Sequence, residues 1–235
     1  MGTVKFFSTN DPFGLTDWEV QNGPNPTYSL QRAQALKADG DELAYQQYGG
    51  QYSATLNYVL KTVTGTLTLP AVGTVSDGWH LDNLTVSYTQ TGWPTLSITC
   101  HKHDTSKGGT VDAGCRTYPP SFKVPACFGV PTAIPSTGSG NVFELSTNAE
   151  VGLRSISLAV SVNHIDEMNN AGEHFASDNY DGSETLTAEF TGEIDSTDYK
   201  LGDAWAADST AQNGGNTVAS TATVTISHHI QHATA

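Results

Sequence analysis

Positive charge is scarce in this chain: ten lysines and arginines stand against 24 aspartates and glutamates in 235 residues, a formal net charge of −14. A surface so biased repels phosphate backbones and anionic membranes, which excludes functions that rest on nucleic-acid affinity. The shortage is sharpest over residues 151–235, where twelve acids face Arg154 and Lys200. Long apolar runs are missing too. Nothing approaches the roughly 18 residues that a membrane helix needs, and the opening MGTVKFFSTNDPFG reaches polar and turn-forming residues before a signal-type apolar core builds up. No membrane partner is expected, and a cytosol-like compartment is the expected place of synthesis. Cysteine is limited to Cys100, Cys115 and Cys127, an odd set that does not make a complete disulfide framework. Long helical periodicity is absent, although Leu30 to Ala38 would tolerate a helix. Also missing are a nucleophile elbow, a phosphate loop and a dinucleotide fingerprint, so neither an enzyme nor a cofactor is expected.

Alternation is abundant. In QYSATLNYVL, Tyr52, Ala54, Leu56, Tyr58 and Leu60 fall on one face and Gln51, Ser53, Thr55 and Asn57 on the other, the pattern of a half-buried strand. SETLTAEFTG repeats it, with Glu184, Leu186, Ala188 and Phe190 opposed to Ser183, Thr185, Thr187 and Glu189. Both strands follow one template: GDELAYQQYGG at Gly40 to Gly50 returns as GEHFASDNYDG at Gly172 to Gly182, and Thr-Gly pairs follow at Thr64-Gly65 and Thr191-Gly192. Gly49-Gly50 and Asp181-Gly182 suit two-residue hairpin turns that need positive φ, and ADGD at Ala38 to Asp41 supplies a further turn. Each copy opens on a strand, YSLQRAQAL or SISLAVSVNH, and closes on another, TLSITCHKH or TVTISHHIQH. A duplicated all-β fold is expected, with two tandem β-sandwich or barrel-like domains.

Between the copies, Asp104 to Gly140 holds five prolines and many glycines, which cannot sustain a helix or a central strand. The expected organisation is an N-terminal arm at 1–26 with Phe6, Phe7, Phe13 and Trp18, a first β repeat at 27–104, a Pro/Gly-rich linker or loop at 105–150, and a second repeat at 151–235.

Candidate ligand groups are few. CHKH places Cys100 beside His101 and His103, but the spacing misses the paired C-x2-4-C and H-x3-5-H patterns of structural zinc. His228, His229 and His232 follow an alternating strand, where residues four apart stand about 13 Å apart. Asp178, Asp181 and Glu184 surround a glycine but miss the calcium-loop spacing. No metal site is expected from any of these sets. Trp79, Trp93 and Trp205 could stack on sugar rings if exposed, so a carbohydrate-binding β-sandwich is the alternative from another functional class. Two carboxylates at a suitable separation would suffice for a glycosidase, and no pair stands out.

The order of opening strand, Asp-Gly turn, ELAYQQY, glycine pair, alternating strand, PAVGTV and LSITC resembles the tail-tube proteins of long-tailed bacteriophages. GEHFASDNYDGSETLTAEFTG with YKLGDAW carries the same likeness in the second copy, so the resemblance covers about 27 to 104 and 151 to 235. It implies a virion structural protein, assembled in the host cytoplasm into homo-oligomeric rings or a tube beside other tail proteins. DNA would pass through an acidic-lined lumen without specific binding. A capsid-decorating or baseplate role is the nearer alternative.

Overall fold

The computed structural model describes residues 11–22, 26–104, 115–146, 152–215 and 218–230. Strands and their connections are the regular structure among them, as the alternation predicts, and no helix is long and apolar enough to cross a membrane. In the first half, β1 (Trp18–Asn22), β2 (Thr27–Leu36) and β3 (Glu42–Leu60) precede the short β4 (Thr66–Leu67) and β5 (Val75–Ser76). β6 (Trp79–Thr89) and β7 (Thr95–His103) complete it. The connecting segment contributes β8 (Val124–Pro125), β9 (Ala133–Pro135) and β10 (Asn141–Leu145). In the second half β11 (Gly152–Met168) and β12 (His174–Thr191) lead through β13 (Tyr199–Leu201) to β14 (Ala206–Gly215) and β15 (Val218–Ile230). Leu30 to Leu36, compatible with a helix in sequence, is strand: β2 pairs with β3 along its length.

One sheet runs through both halves in the order β1-β3-β7-β6-β11-β12-β15-β14, with β2 also on β3. The two β segments therefore meet in a single sheet, through an antiparallel ladder from Ser155↔Thr89 to Ser161↔Asn83. Within each half the strand order is the same: β2-β3-β7-β6 in the first and β11-β12-β15-β14 in the second.

Face alternation follows from the register. Reading across the strands, Tyr58, Leu96, Val86, Leu158, Leu186 and Ile226 are neighbours, all but fully buried. The next row is Asn57, Ser97, Thr85, Ala159, Thr185 and Ser227, small and mostly hydroxyl-bearing. A period of two thus gives the sheet one apolar face and one Ser/Thr face.

The apolar face is covered by the segment expected to be a linker. Tyr118, Phe122, Val124, Ala126, Ile134, Val142 and Phe143 are buried and belong to the same hydrophobic cluster as the sheet residues. Its prolines fit this place because the segment is built of two- to five-residue strands and turns, with β13-β10-β9 and β4-β8 as small sheets. Residues 105–114 and 147–151 lie outside the described residues. So do residues 1–10, with Phe6 and Phe7, and residues 23–25, while residues 11–22 of the arm lie on the chain's own sheet: β1 pairs with β3, Trp18 is buried, and Asp11 accepts from the Phe13 and Leu15 amides and from the Tyr58 hydroxyl.

The glycine pairs play a different part from the one expected. Gly49-Gly50 and Asp181-Gly182 are not hairpin tips; they lie inside β3 and β12, where two residues oppose one on the partner strand. Gly49 (φ 62) and Asp181 (φ 57) use the left-handed region to make β-bulges. The hairpins turn instead at Lys37–Asp41 and Asn169–Glu173. There the Lys37 amide donates to the Asp41 carbonyl and the Asn169 amide to the Glu173 carbonyl, with Gly40 (φ 89) and Gly172 (φ 77) in equivalent positions.

Candidate metal centre

Three strands each bring an i, i+2 pair of potential ligands to one place: His80 and Asp82 on β6, His101 and His103 on β7, His164 and Asp166 on β11. β12 adds His174 and Asn179. The place is set by the sheet. His80 lies opposite His101 in the β6–β7 register, and the β6–β11 ladder ends at Asn83–Ser161, one turn of the pleat before these residues. The register shifts between Leu81 and Asn83 and between Ser161 and Asn163 fall at the same point. Bulges of this kind re-aim side chains next to functional positions.

The groups are closely interlocked. Asp82 Oδ1 lies 2.8 Å from His80 Nδ1 and 2.6 Å from His101 Nδ1. Asp166 Oδ1 lies 2.9 Å from His164 Nε2, 3.1 Å from His103 Nε2 and 3.5 Å from His174 Nε2. On its other side His164 Nδ1 meets Asn179 Oδ1 at 2.7 Å, and Asn179 Nδ2 donates to the Arg116 carbonyl at 2.7 Å, which fixes the orientation of the amide. The rings touch: His164 is 4.4 Å from His80 and 4.6 Å from His101 between centroids, and His103 stacks on His174 at 3.6 Å. His80 and Asn179 are fully buried, and His101, His103 and His174 are buried as well.

Burial alone would push the Asp166 carboxyl up; hydrogen bonds with His103 and His164 outweigh it and hold the group well below the usual carboxylate range. Asp82 is lowered in the same way by His101 and His80 against its own burial. His164 would be pushed down by burial, yet its bonds to Asp166 and Asn179 leave it raised. The cluster therefore couples ionised, partly exposed carboxylates to largely buried imidazoles. Three overlapping sets can bring one ligand atom each to within 4.8 Å of one another: His101, His103, His164 and Asp166; His80, Cys115 and His164; and His80, Asp82 and His101.

Of the sets considered from sequence, CHKH is divided. His101 and His103 enter the cluster, whereas the Cys100 Sγ donates to the Ala54 carbonyl and its thiol is pushed up to about 12, first by burial and then by Asp82. Cys127 packs at the core edge. The three acids of the Asp-Gly segment do not converge: Asp178 pairs with Arg116, Asp181 with Asn163 and His229, and Glu184 with Ser121 and His228. His232 lies outside the described residues. Trp79 and Trp205 are buried, and Trp93 is 44% exposed, with its ring 5.3 Å from exposed Phe128. The residues that sequence reasoning missed, His80, Asp82, His164 and Asp166, carry a visible signal in H-x-D on alternating strands, the spacing that keeps two side chains on one face. Compared with known protein families and with curated proteins, the chain matches none.

Proposed function

We propose that this chain is a self-assembling structural subunit of a ring or tube, of the kind found in bacteriophage tails. The observation that carries the reading is the pair of end strands. β14 is exposed on both faces from Ala206 to Gln212, and β2 is exposed along nearly its whole length, so each leaves a strand edge for a partner. Inside the chain the corresponding strands are already joined: β6 holds in the first half the place that β14 holds in the second, and it pairs with β11, the counterpart of β2. In this reading the halves are copies of one unit, and β14 of one chain meets β2 of the next as β6 meets β11. Repeating one head-to-tail contact by rotation closes a ring.

The Ser/Thr face suits an inner wall. Its central rows carry hydroxyls and no lysine or arginine, so DNA phosphates find no counter-charge to hold them. Acids share that face with the hydroxyls: Glu189 pairs with Arg154, Asp181 meets His229, and Asp208 accepts from Ser227, so the wall of this reading is hydroxyl-rich and carries carboxylates. The hairpin arms support assembly as well: Leu36, Leu43 and Tyr45 on one and Ile165 and Phe175 on the other are more than half exposed.

Negative-stain electron microscopy with mass photometry across protein concentration tests the reading. Rings with a central hole, growing in proportion with concentration, are expected. A monomer at every concentration and salt would overturn ring formation by this chain alone. The exposed Trp93–Phe128 pair favours the second reading, a sugar-binding module, and glycan-array binding by such a monomer would select it.

A further inference from the structure

We propose that the buried cluster between the two halves is a structural site for one divalent first-row transition-metal ion, zinc in the first place, held by His101, His103, His164 and Asp166. Three imidazoles and one carboxylate on two strands are a donor set of the right number for tetrahedral zinc, and imidazole selects against magnesium and calcium, which take oxygen ligands. The side chains are within reach of one another before any ion arrives, with one ligand atom from each inside 4.8 Å.

The outer hydrogen bonds are those a metal site requires. A ligating histidine uses one ring nitrogen for the ion and donates from the other to a carboxylate or carbonyl, which fixes the ring and its tautomer. His101 Nδ1 is engaged by Asp82, and His164 Nδ1 by the oriented amide oxygen of Asn179, so in both rings Nε2 is the nitrogen that would bind the ion. Asp166 Oδ1 already gathers His103 Nε2 and His164 Nε2 around one oxygen, and the ion would take over the links now made by their protons. A further observation comes from His80. Its Nδ1 is engaged by Asp82, and its Nε2 is buried without a hydrogen-bond partner among the described residues, in a ring that touches both His101 and His164. A buried polar atom of that kind calls for a water or an ion beside it.

The low exposure of the ligands marks the site as structural, since catalytic metal sites keep an open position. Its place gives it work to do. His101 and His103 belong to the first half and His164 and Asp166 to the second, so the ion would tie the halves together where the β6–β11 ladder stops.

The test uses full-length protein stripped with a chelator, titrated with Zn2+ by calorimetry and with Co2+ by visible absorption. One ion per chain, a tetrahedral Co2+ spectrum and a raised melting temperature with Zn2+ but not Mg2+ are expected. Asp166→Ala should abolish stoichiometric binding, and Asp82→Asn, which alters the outer partner alone, should weaken it about 10- to 100-fold. His229→Ala combined with His232→Ala should leave it unchanged. Absence of stoichiometric Zn2+ binding, equal stabilisation by Mg2+, or binding lost in the terminal pair but kept in Asp166→Ala would each overturn the proposal. If Asp166→Ala does not fold, Asp82→Asn and the Co2+ spectrum of the unaltered protein decide.

Discussion

β6 and β14 occupy the same position in the two halves of the sheet, yet their surroundings are opposite. β6 buries Leu84, Val86 and Tyr88 between β7 and β11, whereas β14 is exposed from Ala206 to Gln212 and, among the described residues, pairs with β15 alone. The difference is one of neighbours as much as of composition. A strand inside the sheet is covered by a partner strand and by the overlying layer, and its side chains are large and apolar to match. β14, with Ala206, Ala207, Ser209 and Ala211, has little to bury and so is stable only as an edge or as half of a contact between chains. The seam should therefore be the least forgiving place in the molecule. Leu158, between Val86 and Leu186, is fully buried, and Leu158→Ala should lower the unfolding free energy by about 2–5 kcal/mol in urea titrations. A loss below about 1 kcal/mol would mean that the seam is not a packed interior.

The two bulges give a finer version of the comparison. Gly50 and Gly182 hold corresponding places, but a Cβ on Gly182 would run into the buried ring of Tyr118, part of the covering layer. On Gly50 it would meet the Asp104 Cβ at 3.0 Å and the Tyr28 hydroxyl at 2.7 Å, the far end of an exposed side chain that can yield by giving up its hydrogen bond to Asp104. Gly182→Ala should thus cost about 1–3 kcal/mol through overpacking, and Gly50→Ala clearly less. Equal losses would show that both bulges are held with the same rigidity.

Much of this was legible in the sequence. The alternation of Tyr52 to Leu60 and of Glu184 to Phe190 gives the strands and the buried face, because a period of two admits only one apolar side. The 132-residue offset pairs Gly40 with Gly172 and Gly49 with Asp181, all of which adopt positive φ. What escaped is non-local. Positive φ at Gly49 and Asp181 is needed equally by a tight turn and by a bulge, and which one forms depends on β2 and β11, strands 20 or so residues away. The Pro/Gly-rich segment at 105–150 reads as a linker or loop because its prolines and glycines cannot sustain a helix or a central strand; only the sheet beneath shows that Phe122, Ile134 and Phe143 share a core. The histidine cluster is harder still. Its pairs come from three strands, and their convergence depends on where one ladder ends.

Returning to the edges, Ala207→Lys with Ala211→Lys places charge on both faces of β14. Such residues block edge pairing while leaving an exposed strand intact. Rings seen with the unaltered protein should be replaced by monomers, with the unfolding free energy of the monomer unchanged within about 0.5 kcal/mol. Rings that persist would move the contact away from this edge.

The smallest effect concerns a contact that the second half has and the first lacks. Arg116 reaches from the covering layer to Asp178 at 2.9 Å, whereas the corresponding residue of the first half is Gln46, whose amide donates to the Ala171 carbonyl. The guanidinium brings the Asp178 carboxyl down to about 2 against an opposing push from burial, with further help from the Arg116 and Asn179 amides. A carboxylate lowered on folding adds stability that is complete above its unfolded value, near 4, and is lost as pH falls toward about 2. Both side chains are more than 40% exposed, so solvent screens the pair and its contribution is small. Asp178→Asn should leave a variant whose stability deficit at pH 7 shrinks between pH 4 and pH 2, measured as the difference between two urea midpoints at each pH. A deficit that stays constant through that window would assign the cost to the lost amide contacts, with no part for the charge, and the covering layer would then be held to β12 by packing and neutral hydrogen bonds.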